Sequence, residues 1–310
     1  LVSVVLAMRE GEPESRAAIR EVLAASAERY LETLDEDPDA AADFVATPET
    51  TSGRLQRFLA KKAKKKGRAK MLTKWTSMGS QGARRFRRDH PKLDILTGED
   101  RAHLVRALEQ YQATLDDEVP GHSHQHFQVK DVARRLSAGT GSLGTDRFYV
   151  LVEGAEEGDH DDVILDVKAQ QRPAAWHVMN ERERAEYAEL FRHEGERHMR
   201  AFSAMARHPD PYVGWLEWGG QVFSVRERSP FKADYPTDKL TSAKRWSKMA
   251  RVWGQILAAS HLRGARALAD MEAGREDGAL IFGRAVLAEA RPRRAAFFDL
   301  LESMALAYAD

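Results

Sequence analysis

The sequence predicts an α+β fold in which a small antiparallel sheet lies between two helical regions. Apolar residues recur at helical spacing in residues 1–120 and again in residues 236–310. Residues 121–235 instead contain β-branched and aromatic runs separated by glycine-rich turns, together with one long helical stretch over residues 181–205. We therefore expect a small sheet with one long helix, packed against a mainly helical lobe.

Charge and cysteine content restrict the classes of function. Lysine plus arginine and aspartate plus glutamate both total 48, so no net field attracts nucleic acid or an acidic membrane. Cysteine is absent, which excludes thiolate metal sites and cysteine nucleophiles and favours a reducing compartment. We therefore expect a cytoplasmic protein without a membrane partner, and the charge balance argues against a nucleic-acid partner.

The chain begins with an apolar segment, residues 1–8, that is too short to cross a bilayer. Position 1 is leucine rather than methionine, so we expect the chain to be part of a longer protein. We also expect residues 1–8 to belong to a buried helix that contacts the C-terminal helices.

Two antiparallel hairpins are predicted in the middle region. The first joins the strand-like runs 148–153 and 163–167, and the second joins runs 215–218 and 221–225 through the glycines at 219–220. The clearest predicted helices of the two flanking regions are residues 14–34, 99–115, 239–271, 279–290 and 293–309.

A glycine motif precedes the first hairpin, because residues 139–144 read Gly-Thr-Gly-Ser-Leu-Gly and match G-x-G-x-x-G. A dinucleotide site requires a helix after these glycines, but a strand follows here, and the Gly-Lys-Ser/Thr of a Walker-type loop is absent. The remaining interpretation is a kinase-like loop whose backbone folds over phosphates between two strands. The residues that would surround the phosphates are Gly139, Thr140, Gly141, Ser142 and Gly144.

Such a loop needs a cation on the following strand, and Lys168 supplies it. Strand alternation places Lys168 on the same face as Ile164 and Asp166. The kinase pattern also requires a glutamate on the next helix to hold the lysine, and the candidates are Glu189, Glu194 and Glu196. The alternative interpretation is an exposed hairpin with a flexible glycine bend and a surface lysine.

Several blocks of the sequence resemble one bacterial family, the domain of unknown function 2252. The resemblance extends over the whole chain and is most specific in residues 130–170. The blocks are KDVARR (130–135), GTGSLG (139–144), YVLVEG (149–154), LDVKA (165–169), ER (196–197), DP (210–211), GW (214–215) and FSVRE (223–227). Where the family carries glutamines after the Glu-Arg block, this chain has Phe202 and Ala206.

The resemblance implies a protein-kinase-like fold. Family members are similar to aminoglycoside phosphotransferases, since they carry a G-D-x-H-x-x-N-F block and a D-x-D-type block like the catalytic and metal-binding loops of those enzymes. It therefore also implies ATP with Mg²⁺ as the cofactor. In the family these blocks precede the stretch that residues 1–8 resemble, so the lobes of the longer protein would be circularly permuted relative to ordinary kinases.

Residues 1–310 lack the catalytic loop of a kinase. Asn180 is the only asparagine, and it lies at a predicted helix start, so no H-x-D-x-x-x-x-N loop is present. Asp43 and Phe44 are followed by Val45 and do not form a D-F-G motif. We therefore expect the chain to bind phosphate without transferring it.

These observations lead to three hypotheses. The first is a nucleotide-binding protein of kinase type, an ATP-dependent phosphotransferase when the upstream blocks are present, with Arg226–Arg228 near the hinge between lobes. The second is a non-catalytic binding or regulatory module. The third, which the charge balance disfavours, is a nucleic-acid-associated protein that uses the basic stretches 61–70 and 84–88.

A histidine triplet is the one candidate for metal binding. On a strand, His122, His124 and His126 would share a face. No fourth ligand or orienting carboxylate is evident in the sequence, so we interpret these residues as a polar connector and predict no metal site.

Overall fold

The structure is a computed structural model of the chain and describes residues 1–10, 15–65, 67–79, 82–115, 127–137, 144–155, 160–271 and 277–309. Within those ranges the fold is α+β, as predicted. The chain divides into two compact units: unit 1 contains residues 1–64, 204–207 and 233–310, and unit 2 contains residues 65–203 and 208–232. None of the helices described here is both long and apolar enough to cross a bilayer.

The α-helices are α1 (Val2–Glu10), α2 (Arg16–Leu34), α3 (Pro38–Ala42), α4 (Gly53–Lys65), α5 (Arg68–Trp75), α6 (Gly98–Gln112), α7 (Glu181–Leu190), α8 (Glu194–Met205), α9 (Ala243–Met271), α10 (Gly278–Ala290) and α11 (Arg294–Ala307). The strands are β1 (Thr76–Met78), β2 (Arg84–Phe86), β3 (Leu93–Ile95), β4 (Val129–Arg135), β5 (Arg147–Val152), β6 (Val163–Ala169), β7 (Gly214–Trp218) and β8 (Gln221–Glu227). The helices predicted in the flanking regions correspond to α2, α6, α9, α10 and α11, within a few residues at each end.

Unit 1 is helical, and α2 and α9 pack against each other at its centre. A glycine permits their close approach: a Cβ atom at Gly254 of α9 would lie 2.1 Å from the carbonyl oxygen of Ser26 in α2. Any side chain at this position would separate the two helices.

The first helix also joins the core of unit 1. Val5 and Met8 of α1 are buried with Trp246 of α9 and Ala305 of α11. Contact between residues 1–8 and the C-terminal helices, which we expected from the sequence, is thus confirmed.

Unit 2 contains a six-stranded sheet in the order β3-β4-β5-β6-β8-β7, in which all neighbouring strands are antiparallel. Strands β1 and β2 pair separately. The pairs β5–β6 and β7–β8 are the two predicted hairpins, which are therefore confirmed.

The two faces of this sheet differ in chemistry. The valine and leucine side chains of β6 belong to a core that includes Leu104 and Leu108 of α6. Ile164 belongs to a different core, together with Trp75 of α5. The predicted alternation along β6 is thus confirmed, and it directs Asp166 and Lys168 to the side of Ile164. We call this side the lysine face, defined by the side chains of Tyr149, Ile164, Asp166, Lys168, Ser224 and Arg226.

The single long helix predicted over residues 181–205 is instead two helices, α7 and α8. Phe191 has an extended backbone, with φ −138°, and ends α7. The Glu196 carboxylate accepts a hydrogen bond from the Arg192 backbone N–H (2.9 Å), and Nδ1 of His193 accepts one from the Glu196 N–H (3.1 Å). The His193 side chain therefore caps an N–H group of the first turn of α8, and the Glu196 carboxylate binds the segment before it, so a new helix begins where the residue pattern alone predicts continuity.

The region 1–120, which we predicted to be helical, also contains the short strands β1, β2 and β3. Each has three residues, too few for a two-residue period to be recognised in the sequence. The units change at residues 64/65, 203/204, 207/208 and 232/233, whereas the predicted boundaries were 120/121 and 235/236. The sheet unit thus begins earlier than the sequence pattern indicates.

Candidate functional site

Lys168 lies near the end of β6, on the lysine face in the middle of the sheet. Arg147 of β5 and Ser224 of β8 are opposite Lys168 in the two adjoining ladders. Its carbonyl oxygen accepts hydrogen bonds from the side chains of Gln170 and Ser224, both at 3.4 Å, which fix this part of the strand. The Lys168 side chain is partly buried, and within the described ranges its ammonium group forms no ion pair.

Helix α8 adds charged and titratable groups to the lysine face. The guanidinium of Arg226 on β8 stacks on Phe202 of α8, with its Cζ atom 5.3 Å from the ring centroid. Burial, followed by the charges of Arg197, Arg226 and Lys168, lowers the pKa of His198 below its usual value. The neutral form of His198 is therefore favoured, close to three cations.

The candidate glutamates of α8 have other partners. Glu194 forms an ion pair with Arg197 at 2.6 Å, and the buried Glu196 forms one with Arg200 at 2.7 Å. Neither carboxylate pairs with Lys168 in the part of the chain that the structure describes, and the third candidate, Glu189 of α7, is exposed and does not pair with it either. The lysine–glutamate pair expected from the kinase pattern is therefore not formed within those ranges, and arginines on α8 itself bind the carboxylates of Glu194 and Glu196.

The acid closest in sequence to Lys168 is neutralised by another residue. Arg147 binds the Asp166 carboxylate with both arms of its guanidinium: Nε lies 2.6 Å from Oδ1, and Nη2 binds Oδ2. Asp166 is only 6% exposed, so this pair lies in a region where charge–charge interactions are weakly screened. Because Arg147 occupies both carboxylate oxygens, Asp166 does not neutralise Lys168.

A second group of cations surrounds Trp75, and we did not predict it from the sequence. The guanidinium groups of Arg135 and Arg228 lie over the Trp75 ring, with Cζ atoms 5.4 and 4.6 Å from its centroid. Both also lie near the ring of Tyr149, at 5.7 and 5.9 Å. Tyr149 is opposite Asp166 in the ladder, so this group adjoins the lysine face.

Several buried donors in this group have no acceptor. They are Nε and Nη1 of Arg135, Nε of Arg228 and Nε1 of Trp75. Buried N–H groups are nearly always hydrogen-bonded, and a group that is not commonly marks the place of a water, an ion or a ligand. The chemistry of these donors fits an oxyanion.

Part of the predicted site lies outside the described residues. This applies to Gly139, Thr140, Gly141 and Ser142 of the glycine motif and to the three histidines at positions 122, 124 and 126. The last residue of the motif, Gly144, is described and has φ +70°, a left-handed conformation that favours glycine. A search of the described ranges finds no cluster of three histidine, aspartate or glutamate side chains that could hold a metal ion.

Comparison with known proteins places the chain at the level of a family. No curated protein and no solved structure matches the sequence. The family model described as "Uncharacterized protein conserved in bacteria (DUF2252)" matches residues 1–310, in agreement with the blocks quoted above. The chain therefore belongs to the DUF2252 family of bacterial proteins.

Proposed function

We propose that the lysine face binds the phosphate groups of a nucleotide, within a lobe of kinase type. The observation that carries this proposal is a concentration of cations without carboxylate partners. In the described part of unit 2, Lys168, Arg226, Arg135 and Arg228 form no ion pair. Their positive charge and the buried N–H donors near Trp75 both favour an oxyanion, because phosphate oxygens accept several charge-assisted hydrogen bonds at once.

The order of elements supports the kinase type. In protein kinases a glycine-rich loop covers the phosphates, a lysine lies on the third strand, and the next helix carries a glutamate. Here the glycine motif lies between β4 and β5, Lys168 lies on β6, and α8 comes before β7 and β8. The left-handed conformation of Gly144 is consistent with a tight turn into β5.

Two features depart from the kinase pattern. Lys168 lacks a glutamate partner in the described ranges, and the residue two positions before it, alanine in the kinase V-A-I-K motif, is Asp166. An ion pair with Arg147 thus occupies a position where kinases have a small apolar side chain. We therefore expect the phosphates, rather than the base, to supply most of the affinity.

The proposal for residues 1–310 is binding and not transfer. The only asparagine, Asn180, has a structural role: its Oδ1 accepts a hydrogen bond from the Glu183 N–H at 3.0 Å and caps α7. It is therefore not available as the metal-binding asparagine of a kinase catalytic loop. Any phosphotransferase activity with ATP and Mg²⁺ would need catalytic and metal-binding blocks of the kind that the family resemblance implies.

Isothermal titration calorimetry and thermal unfolding with ATP and Mg²⁺ test the proposal. Wild-type protein should bind ATP, and ATP at 100 times its Kd should stabilise the fold by about 2.7 kcal/mol. The Lys168→Ala variant should bind ATP about tenfold more weakly or worse, because a charge-assisted hydrogen bond contributes roughly 1.5–3 kcal/mol.

A matched control is Lys244→Ala, which removes an exposed lysine from α9 in unit 1. It should bind ATP with the wild-type Kd. The proposal fails if wild-type protein does not bind ATP, or if Lys168→Ala and Lys244→Ala have the same Kd.

A further inference from the structure

Unit 1 contains a cavity of about 530 Å³ at the start of α4 and the first half of α9. This volume falls within the range of roughly 300–1,000 Å³ that is typical of small-molecule sites. The lining comes from residues 52–55 and Arg57, from Tyr235 and Leu240, and from α9 side chains between positions 245 and 255, with Arg29 of α2 beside them. All of these residues belong to unit 1, so the cavity shares no residue with the lysine face, which belongs to unit 2.

The charged residues that line this cavity are all positive. They are Arg29, Arg54, Arg57, Arg245, Lys248 and Arg251, and no aspartate or glutamate lines the cavity. Outside the lining, Arg29 pairs with Glu36 at 2.8 Å and with Glu32 at 3.5 Å, and Arg251 pairs with Glu32 at 2.6 Å. The other four cations have no carboxylate partner in the described ranges, so the cavity has a strong excess of positive charge.

The same cavity has an apolar side. Leu240 and Met249 are each only 6% exposed, and Tyr235 and Val252 lie beside them in the lining. The first turn of α4 also borders the cavity and contains no acidic residue. The positive end of the α4 dipole therefore adds to the positive potential of the cavity.

From these features we infer that the cavity binds a small organic anion: a phosphate, sulfate or carboxylate group attached to an apolar moiety. The cations would bind the anionic group, and the apolar side would bury the rest of the molecule. A concave site of this size with an apolar side fits a compact ligand better than an extended polyanion, which needs only exposed charge. This inference does not depend on nucleotide binding at the lysine face.

Calorimetry with three probes tests both halves of the inference: 1-naphthyl phosphate, inorganic phosphate and 1-naphthol. We expect 1-naphthyl phosphate to bind about tenfold more tightly than either of the others, because it alone uses both the cations and the apolar side. The Kd for 1-naphthyl phosphate should increase with salt concentration.

Two variants test the role of the cations. Lys248→Ala should weaken the binding of 1-naphthyl phosphate by about tenfold, and Arg57→Ala should have a similar effect.

The control lies one helical turn from Lys248. Lys244 is exposed on the same helix but does not line the cavity, so Lys244→Ala should retain the wild-type Kd for 1-naphthyl phosphate. Lys168→Ala should also retain it, which separates this site from the lysine face. The inference is overturned if Lys248→Ala and Arg57→Ala bind as tightly as Lys244→Ala, if 1-naphthol binds as tightly as its phosphate, or if Lys168→Ala abolishes binding.

Discussion

The ion pair between Arg147 and Asp166 determines the charge around Lys168. Without Arg147, the Asp166 carboxylate would be left unpaired on the lysine face, where it is 6% exposed, two residues from Lys168. With Arg147 in place, each oxygen of the carboxylate accepts a guanidinium N–H. The pair therefore maintains both the fold of the central strands and the positive potential of the face.

We predict that Arg147→Met strongly destabilises the protein. Removing one partner of a buried ion pair leaves an uncompensated charge and typically costs about 3–5 kcal/mol. The free energy of unfolding, measured by urea denaturation at pH 7, should fall by that amount. The double variant Arg147→Met/Asp166→Leu should recover most of the loss, because it removes both charges.

The control for this prediction is Arg182→Met, the same change at an exposed pair. The Arg182 and Glu186 side chains are 87% and 57% exposed, and such pairs contribute at most about 1 kcal/mol. Equal losses in Arg147→Met and Arg182→Met would show that burial of the Arg147–Asp166 pair has no energetic consequence.

Some of the candidate site could be predicted residue by residue, and some could not. Alternation along one strand is a local property, so the orientation of Lys168 relative to Ile164 could be predicted from six residues. The group around Trp75 joins a residue of α5, a residue of β4 and Arg228, which directly follows β8, and these are far apart in the sequence. No local pattern encodes such a contact, so it was not found.

At the scale of elements, α8 shows how competition among side chains changes a predicted interaction. The sequence correctly indicates a helix with glutamates after the lysine strand. It does not indicate that Arg197 and Arg200, three and four residues from those glutamates, would bind them on the helix surface. Phe202 stacks on Arg226, so an aromatic ring takes a position where the family resemblance suggested a polar side chain.

The contact between α2 and α9 leads to a prediction about a single glycine. Gly254→Ala would place a Cβ atom 2.1 Å from the Ser26 carbonyl oxygen, so the helices must move apart. Overpacking of this kind costs about 1–3 kcal/mol, even though alanine favours a helix. Chemical denaturation should show this loss in the free energy of unfolding.

Gly264→Ala is the matched change on the same helix. A Cβ atom there would lie 3.4 Å from the nearest neighbouring atom, Cγ of Met205, which is close to an ordinary contact. This variant should be neutral or more stable by up to about 1 kcal/mol, the helix-propensity gain. A Gly254→Ala variant as stable as Gly264→Ala would contradict the close approach of α2 and α9.

At the scale of the whole molecule, the sequence predicts the class of the fold better than its division into units. The spacing of apolar residues that distinguishes helices from strands is a local property of the sequence, so the α+β class and both hairpins could be predicted. Membership of a unit depends on contacts between distant segments. Residues 204–207, for example, belong to unit 1 although the segments on both sides of them belong to unit 2. A linear division at single boundaries cannot describe this arrangement.

Both units contain histidines whose pKa is lowered in the folded protein: His90 and His198 in unit 2, and His261 in unit 1. For His90 the causes are burial and then the charges of Lys74 and Arg135. For His198 in unit 2 the causes are burial and then the charges of Arg197, Arg226 and Lys168; for His261 in unit 1 the cause is burial. His261 Nδ1 also lies 2.9 Å from the hydroxyl of Tyr30. The pKa of an unfolded histidine is about 6.5. As the pH falls through this value, the unfolded chain therefore binds more protons at these histidines than the folded protein does.

We therefore predict that the protein becomes less stable as the pH falls from about 8 to about 5.5. The histidine contribution is fully present above the unfolded pKa and is lost as the pH falls towards the lower folded values. Each histidine can contribute a slope of at most about 1.4 kcal/mol per pH unit. Urea denaturation across this range should give the slope for wild-type protein and for the His198→Gln and His261→Gln variants.

Each glutamine variant should flatten the slope, because glutamine binds no proton. Burial raises the pKa values of Asp210 and Glu227, so these two carboxyl groups make the protein more stable as the pH falls. Because their effect opposes that of the histidines at lower pH, the titration should end at about pH 5.5.

A phosphate bound at the lysine face would favour the protonated form of His198. His261 belongs to the other unit, so the same phosphate should not affect it. Added ATP should therefore reduce the His198 contribution and leave the His261 contribution unchanged; an equal effect on both would argue against binding at the lysine face.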